Sequence, residues 1–79
     1  VDIDWEFPGA CGLSCDTSAP AAYKNLMAAL RSSFGSDLVT SAITADGLPG
    51  GKQDKADYGG AAASVDWFLP MTYDFYGAW

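Results

Sequence analysis

Apolar and acidic residues alternate from the first position: Val1, Ile3 and Trp5 are apolar, and Asp2, Asp4 and Glu6 lie between and after them. A period of two marks a β-strand, in which successive side chains leave opposite faces. The acids therefore share one face, and the apolar groups pack away from it. A loop rich in Gly, Ser and Asp follows over about residues 8–18. Pro20 suits a first helical turn, with Ser18 or Ala19 near the cap. Ala22, Leu26, Met27, Leu30 and Phe34 then recur at spacings of three, four and seven. That spacing predicts one apolar helical stripe with Lys24, Asn25 and Arg31 facing outward, and Gly35 ends the helix.

Residues 38–45, Leu-Val-Thr-Ser-Ala-Ile-Thr-Ala, are short and β-branched, bounded by Asp37 and by Asp46-Gly47-Leu48-Pro49-Gly50-Gly51. They read as a second strand followed by a loop. Residues 54–64 are expected to form a short helix. Gly59 and Gly60 each cost about 1 kcal/mol there relative to Ala, but Ala61, Ala62 and Ala63 and the position between strands favour it. Residues 65–73 carry Trp67, Phe68, Leu69, Met71 and Tyr73 and read as a third strand, which opens into the aromatic stretch 74–79. Strands that alternate with helices indicate an α/β fold with a parallel sheet covered by helices, either a barrel or a doubly wound sheet. No repeat or low-complexity tract interrupts it.

The chain has 79 residues, begins inside an apolar strand and stops at Gly77-Ala78-Trp79. A core of this size is marginal by itself, so the expectation is a fragment truncated at both ends. Hydrophobic residues make up 49% and aromatics 14%, too apolar for a disordered tail. A net charge of −6 with four basic residues leaves no stripe of Lys and Arg for phosphates, which excludes nucleic acid as a partner. No apolar run reaches the ~18 residues of a membrane span, and these residues include no signal segment.

Cys11 and Cys15 lie in the first loop. A disulfide closing a small loop, as in a secreted protein, leads two other readings. Free thiols are the plain alternative. A metal site is disfavoured because zinc needs four ligands, and the chain has no His and no second cysteine pair. Three carboxylates on one strand face, ~7 Å apart at a rise of ~3.4 Å per residue, repel one another and push at least one pKa upward. That suits a general acid. A calcium loop of the Asp-x-Asp-x-Asp-Gly kind does not fit, because Phe7 replaces the Gly and Leu13 stands where a bidentate Glu is needed. A merely solvated acid face is disfavoured because the surrounding strands read as buried.

Val1-Asp2-Ile3-Asp4-Trp5-Glu6-Phe7-Pro8 resembles the fourth strand of the family 18 glycoside hydrolases, the chitinases, whose motif runs Asp-Gly-x-Asp-x-Asp-x-Glu. Residues 38–45 resemble the fifth strand. Met71-Thr72-Tyr73-Asp74-Phe75-Tyr76-Gly77-Ala78-Trp79 resembles the sixth strand and its exit. The resemblance covers most of the chain and implies a (β/α)8 TIM barrel, of which residues 1–79 supply strands four to six with their helices as a partial catalytic domain. Such barrels need ~250 residues and place active groups at the C-terminal ends of strands, where Glu6, Tyr73 and Asp74 fall. The isolated chain is expected to be inactive and poorly folded, with two open strand edges.

The resemblance implies retaining, substrate-assisted hydrolysis of β-1,4-linked N-acetylglucosamine in chitin or chitooligosaccharides, an exception to the two-carboxylate scheme. Glu6 would be the acid and then the base. Asp4 would hold the acetamido N–H, and Asp2 would share a proton with Asp4 in a coupled titration. Tyr73 would orient the acetamido oxygen. Met71 would shape the pocket, Asp74 would bond the sugar, and Trp79 would stack on a sugar on the leaving-group side. No cofactor is needed, and secretion is implied. Taken alone, Met71, Tyr73 and Trp79 would read as packing residues. The rival classes are a chitin-binding lectin on the same barrel and an endo-β-N-acetylglucosaminidase acting on N-glycan cores. Such lectins typically replace the Glu or a motif Asp, and here Asp2, Asp4 and Glu6 are all present; the match of residues 71–79 to chitinases argues against the N-glycan enzyme.

Overall fold

The computed structural model describes residues 1–78; the stacking role expected of Trp79 falls outside them. Strand β1 (Asp2–Asp4) leads through a long loop to helix α1 (Ala21–Phe34). Strand β2 (Thr40–Thr44) comes next, then a 3₁₀ turn (Lys52–Lys55), the one-turn helix α2 (Tyr58–Ala61), strand β3 (Trp67–Met71) and a 3₁₀ turn (Tyr73–Phe75). The strands form one parallel sheet in the order β1-β2-β3. Parallel neighbours need a crossover between them, and α1 and α2 lie on those crossovers. No helix among the described residues is long and apolar enough to cross a membrane.

The pleat separates two faces. Ile3, Ser41, Ile43 and Phe68 point towards the helices, where Tyr23, Met27, Val39, Ala56 and Ala61 form the buried core with Ile3, Trp5 and Phe68 against it. Tyr23 donates its hydroxyl to Ser41 Oγ (2.7 Å), and Ser41 donates onward to the Ile3 carbonyl (2.9 Å). A buried phenol without a partner would oppose folding, so this relay lets Tyr23 sit under the sheet. Burial pushes the Tyr23 hydroxyl pKa up, while Ser41 pulls it down. Burial and the neighbouring Tyr23 push that of Tyr58 up to about 12.

The α1 stripe differs from expectation. Tyr23 and Met27 are buried and Leu30 is partly so, whereas Leu26 and Phe34 are 37% and 40% exposed. The buried face is set by the 23/27/30 spacing and turned by Tyr23, whose polar end finds Ser41. Lys24 and Arg31 do not face outward. They are half-buried in ion pairs, Lys24 with Asp57 (3.4 Å) and Arg31 with Asp66 (2.6 Å). Pro20 is the N-cap and no side chain caps the helix; Ser18 instead donates to Asp16. Gly35 forms the C-cap, its N–H donating to the Arg31 carbonyl (3.0 Å), as expected.

The expected 54–64 helix is a 3₁₀ turn followed by a single α-turn. Asp57 caps the latter by accepting from the Gly60 N–H (2.7 Å). A Cβ at Gly60 would stand 2.5 Å from Lys24 Cδ, so glycine at this position lets α2 lie close to the Lys24 side chain of α1. Strand β3 begins at Trp67 rather than 65, after Asp66 has turned to accept from the Val39 N–H (2.8 Å) and Arg31. It stops at Met71 because Tyr73 enters a 3₁₀ turn. Met27, 0% exposed, fills the space between α1 and the sheet. Met27→Ala is expected to destabilise the full-length protein by about 2–5 kcal/mol, read as a lower urea midpoint at unchanged slope.

Candidate active site

Trp5 packs on the helix side, its ring 6.4 Å from that of Tyr23. That anchor sets the direction of the residues around it: Asp4 and Glu6 leave the opposite face, and Glu6 stands just past the C-terminal end of β1. The pairing register extends this face into rows. Asp2 lies beside Thr40 and Trp67, Asp4 beside Ala42 and Leu69, and Thr44 beside Met71 one step further on. Ala42 offers one methyl group next to Asp4, which leaves the middle of the acid face open. Thr40 Oγ1 donates to Asp2 Oδ1 (2.9 Å) and ties the first acid to β2.

Asp2, Asp4 and Glu6 are all exposed, and Trp67 and Leu69 on the same side are 49% and 45% exposed. Within residues 1–78 the helices cover one face of the sheet, and the acids lie on the other. Glu6 is nonetheless perturbed. A hydrogen bond with the Asp4 carboxyl and the charge of Asp4 hold its pKa above the ordinary carboxylate range, with a smaller push from Asp74. Lys52 pulls the other way and does not prevail.

Two clefts meet at this point. One, of about 510 Å³, is lined by Asp2, Asp4, Glu6, Met71 and Tyr73 among others. The other, of about 270 Å³, shares Glu6, Met71 and Tyr73 and adds Phe7, Lys52 and Asp74. The structure thus brings Asp4, Glu6, Met71, Tyr73 and Asp74 together towards the C-terminal end of the sheet, with Asp2 on the same face at its N-terminal end. Tyr73 is exposed and lines both clefts. Cys11 and Cys15 are joined in a disulfide and line neither cleft.

Sequence reasoning missed Phe7, Thr44, Asp46 and Lys52. The Thr44 hydroxyl accepts from the Asp46 N–H (3.1 Å), the Asp46 carboxylate accepts from the Lys52 N–H (3.2 Å), and Gln53 Nε2 donates to the Thr44 carbonyl (3.0 Å). These bonds fold the loop after β2 back on itself. They bring Lys52 Nζ to 4.3 Å from the centre of the Phe7 ring, a cation–π contact beside Glu6. One signal was available: a rare basic residue in the loop that leaves the C-terminal end of a strand, where parallel α/β sheets place their ligands.

Carboxyl groups gathered at the C-terminal ends of parallel strands, one with its pKa held up by another, are an arrangement that α/β-barrel glycosidases also use. The family model for glycosyl hydrolases family 18 matches residues 1–79, and the chain belongs to that family, whose parent fold is the TIM barrel. The chain is similar to Chitinase 63 of Streptomyces plicatus and Chitinase C of Streptomyces lividans, 60% identical to each over 81 residues. In each case the match covers the whole chain and 13% of the relative. Chitinase A of Pseudoalteromonas piscicida is 42% identical over 92 residues, covering the whole chain and 11% of that protein.

Proposed function

We propose that residues 1–79 are strands four to six of the catalytic barrel of a chitinase, and that the full-length protein hydrolyses β-1,4-linked N-acetylglucosamine polymers with retention of configuration. The observation that carries this reading is Glu6 at the end of β1, its pKa raised by Asp4, facing the same cleft as Tyr73 and Asp2. A carboxyl group in that state keeps its proton to higher pH than an isolated glutamate and can deliver it to a glycosidic oxygen.

Glu6 protonates the leaving oxygen as the substrate's acetamido oxygen attacks the anomeric carbon and the glycosidic bond breaks. The product is a cyclic oxazolinium ion. Water then adds to the anomeric carbon, Glu6 takes its proton, and the acetamide re-forms. Asp4 accepts from the acetamido N–H and stabilises the developing positive charge. Asp2, held by Thr40, lies behind Asp4 on the same strand face. Tyr73 donates towards the acetamido oxygen and holds it near the attack line, Met71 shapes the pocket, and Asp74 and Trp79 take sugar contacts. Chitin is the partner, and the Cys11–Cys15 disulfide favours an oxidising, extracellular setting.

The test tracks the product of a soluble chitin oligomer by NMR within the first minutes of reaction. The β-anomer appearing first is the expected result. First release of the α-anomer, or binding without cleavage, overturns the reading.

A further inference from the structure

The loop between Glu6 and α1 is braced at several points, none of which the proposed chemistry uses. Phe7 accepts from the Ala10 N–H (3.2 Å), and Ala10 accepts from the Asp16 N–H (3.0 Å). The Asp16 carboxylate accepts from the Gly9 N–H (2.6 Å) and from both the N–H and the hydroxyl of Ser18. Ser18 and Gly9 hold the Asp16 pKa below the ordinary carboxylate range. Inside this frame Cys11 and Cys15 are covalently joined, and the Gly12 N–H donates to the Ser14 carbonyl (2.9 Å). The small ring so formed lies on the backbone of the acid itself. A Cβ at Gly12 would collide with the Glu6 carbonyl oxygen, 3.0 Å from its carbon, and would also touch the Phe7 ring at 3.5 Å.

The geometry points to the Cys11–Cys15 ring as a positioning element: Gly12, held in place by the disulfide and the Asp16 frame, backs the Glu6 carbonyl and fixes the direction in which the Glu6 carboxyl leaves the strand end. This inference rests on the reading of Glu6 as the catalytic acid. The physical need is plain. Glu6 lies beyond the last residue of β1, so no ladder hydrogen bond of that strand restrains its main chain, while its side chain must meet a glycosidic oxygen within hydrogen-bond reach. A brace on the carbonyl supplies the missing restraint. Glycine at position 12 allows the approach, and the disulfide keeps the ring from drifting away in a loop that is otherwise exposed. The rings of Trp5 and Tyr23 hold the neighbouring residue from the helix side, so the end of β1 is gripped from both directions.

The experiment uses the full-length protein in five forms: wild type, Glu6→Gln, Gly12→Ala, the double variant Cys11→Ser/Cys15→Ser, and Leu13→Ala. Initial rates on a soluble chitin oligomer yield kcat and KM, and thermal midpoints are recorded alongside. Because a misplacement of about 1 Å can lower a rate by up to about a hundredfold, Gly12→Ala is expected to lose about tenfold or more in kcat. KM should stay within about twofold. The double cysteine variant should lose kcat in the same sense, and should Gly12→Ala fail to fold it carries the decision by itself. Leu13, fully exposed at the ring tip, should tolerate Ala with wild-type kcat. Wild-type kcat in the variants that perturb the ring, a rise in KM that accounts for the whole loss, or an equal loss in Leu13→Ala overturns the inference. Activity retained by Glu6→Gln overturns the underlying reading instead, whatever the ring variants do.

Discussion

Replacing Glu6 with Gln in the full-length protein is expected to lower kcat on chitin oligomers by about 10²–10⁴, the range in which positioned proton transfer contributes. Gln keeps the size and the outward direction of the side chain but cannot give up or take a proton. The substitution also removes the group whose proton the Asp4 carboxyl helps to retain. Binding has less reason to suffer, since the clefts on both sides are lined by Met71 and Tyr73, which remain. The expected pattern is therefore a collapse of kcat with near-normal affinity, measured as single-turnover rate against oligomer binding by calorimetry. A variant within about tenfold of wild type would remove Glu6 from the acid role.

Asp4→Asn carries the second large effect, and it separates two functions of one carboxylate. Its charge is proposed to stabilise the oxazolinium ion, so its loss should cost about 10²–10³ in kcat, the scale seen when a group aimed at developing charge is removed. Its hydrogen bond and charge also hold the Glu6 pKa up. With Asn in its place the two largest upward causes are lost, and that pKa falls towards the ordinary value. A general acid works only while protonated, so activity disappears as pH rises through its pKa. The alkaline limb of the kcat profile should move to lower pH in Asp4→Asn. An unmoved limb would show that another group sets it.

How much of this was legible beforehand depended on whether a feature is local. The alternation of Val1 to Glu6 is written in the chain, and the acids do share a face. Strand positions came within a few residues, because β-branched and aromatic runs mark them. Their ends did not, since those depend on side chains far away: Asp66 turns aside to Val39 and Arg31 before β3 can begin. The helix stripe was misjudged at Tyr23, whose burial rests on Ser41, 18 positions on. Lys52 was overlooked for a similar reason. Its place in the loop after β2 was the one available signal, and only the folded loop shows that the ammonium reaches Phe7. The family motif carried the site residues further than periodicity could, because it reports an arrangement in space that the chain order disguises.

The sheet register has a consequence for how the molecule is made. Asp2 pairs with Thr40, 38 positions along, and β2 pairs in turn with a strand beginning at Trp67. No hairpin joins any two of the three strands, so every ladder bond waits on a distant segment, an arrangement that slows folding. A ribosome releasing this chain delivers β1 well before β2. Through that interval the side of β1 that β2 will cover is open, and exposed edges invite pairing with other chains. Asp2, Asp4 and Glu6 place a charge at every second position along it. Charge on alternate positions of an edge opposes such pairing, so the carboxylates proposed to cleave sugar are also well placed to protect the strand that carries them.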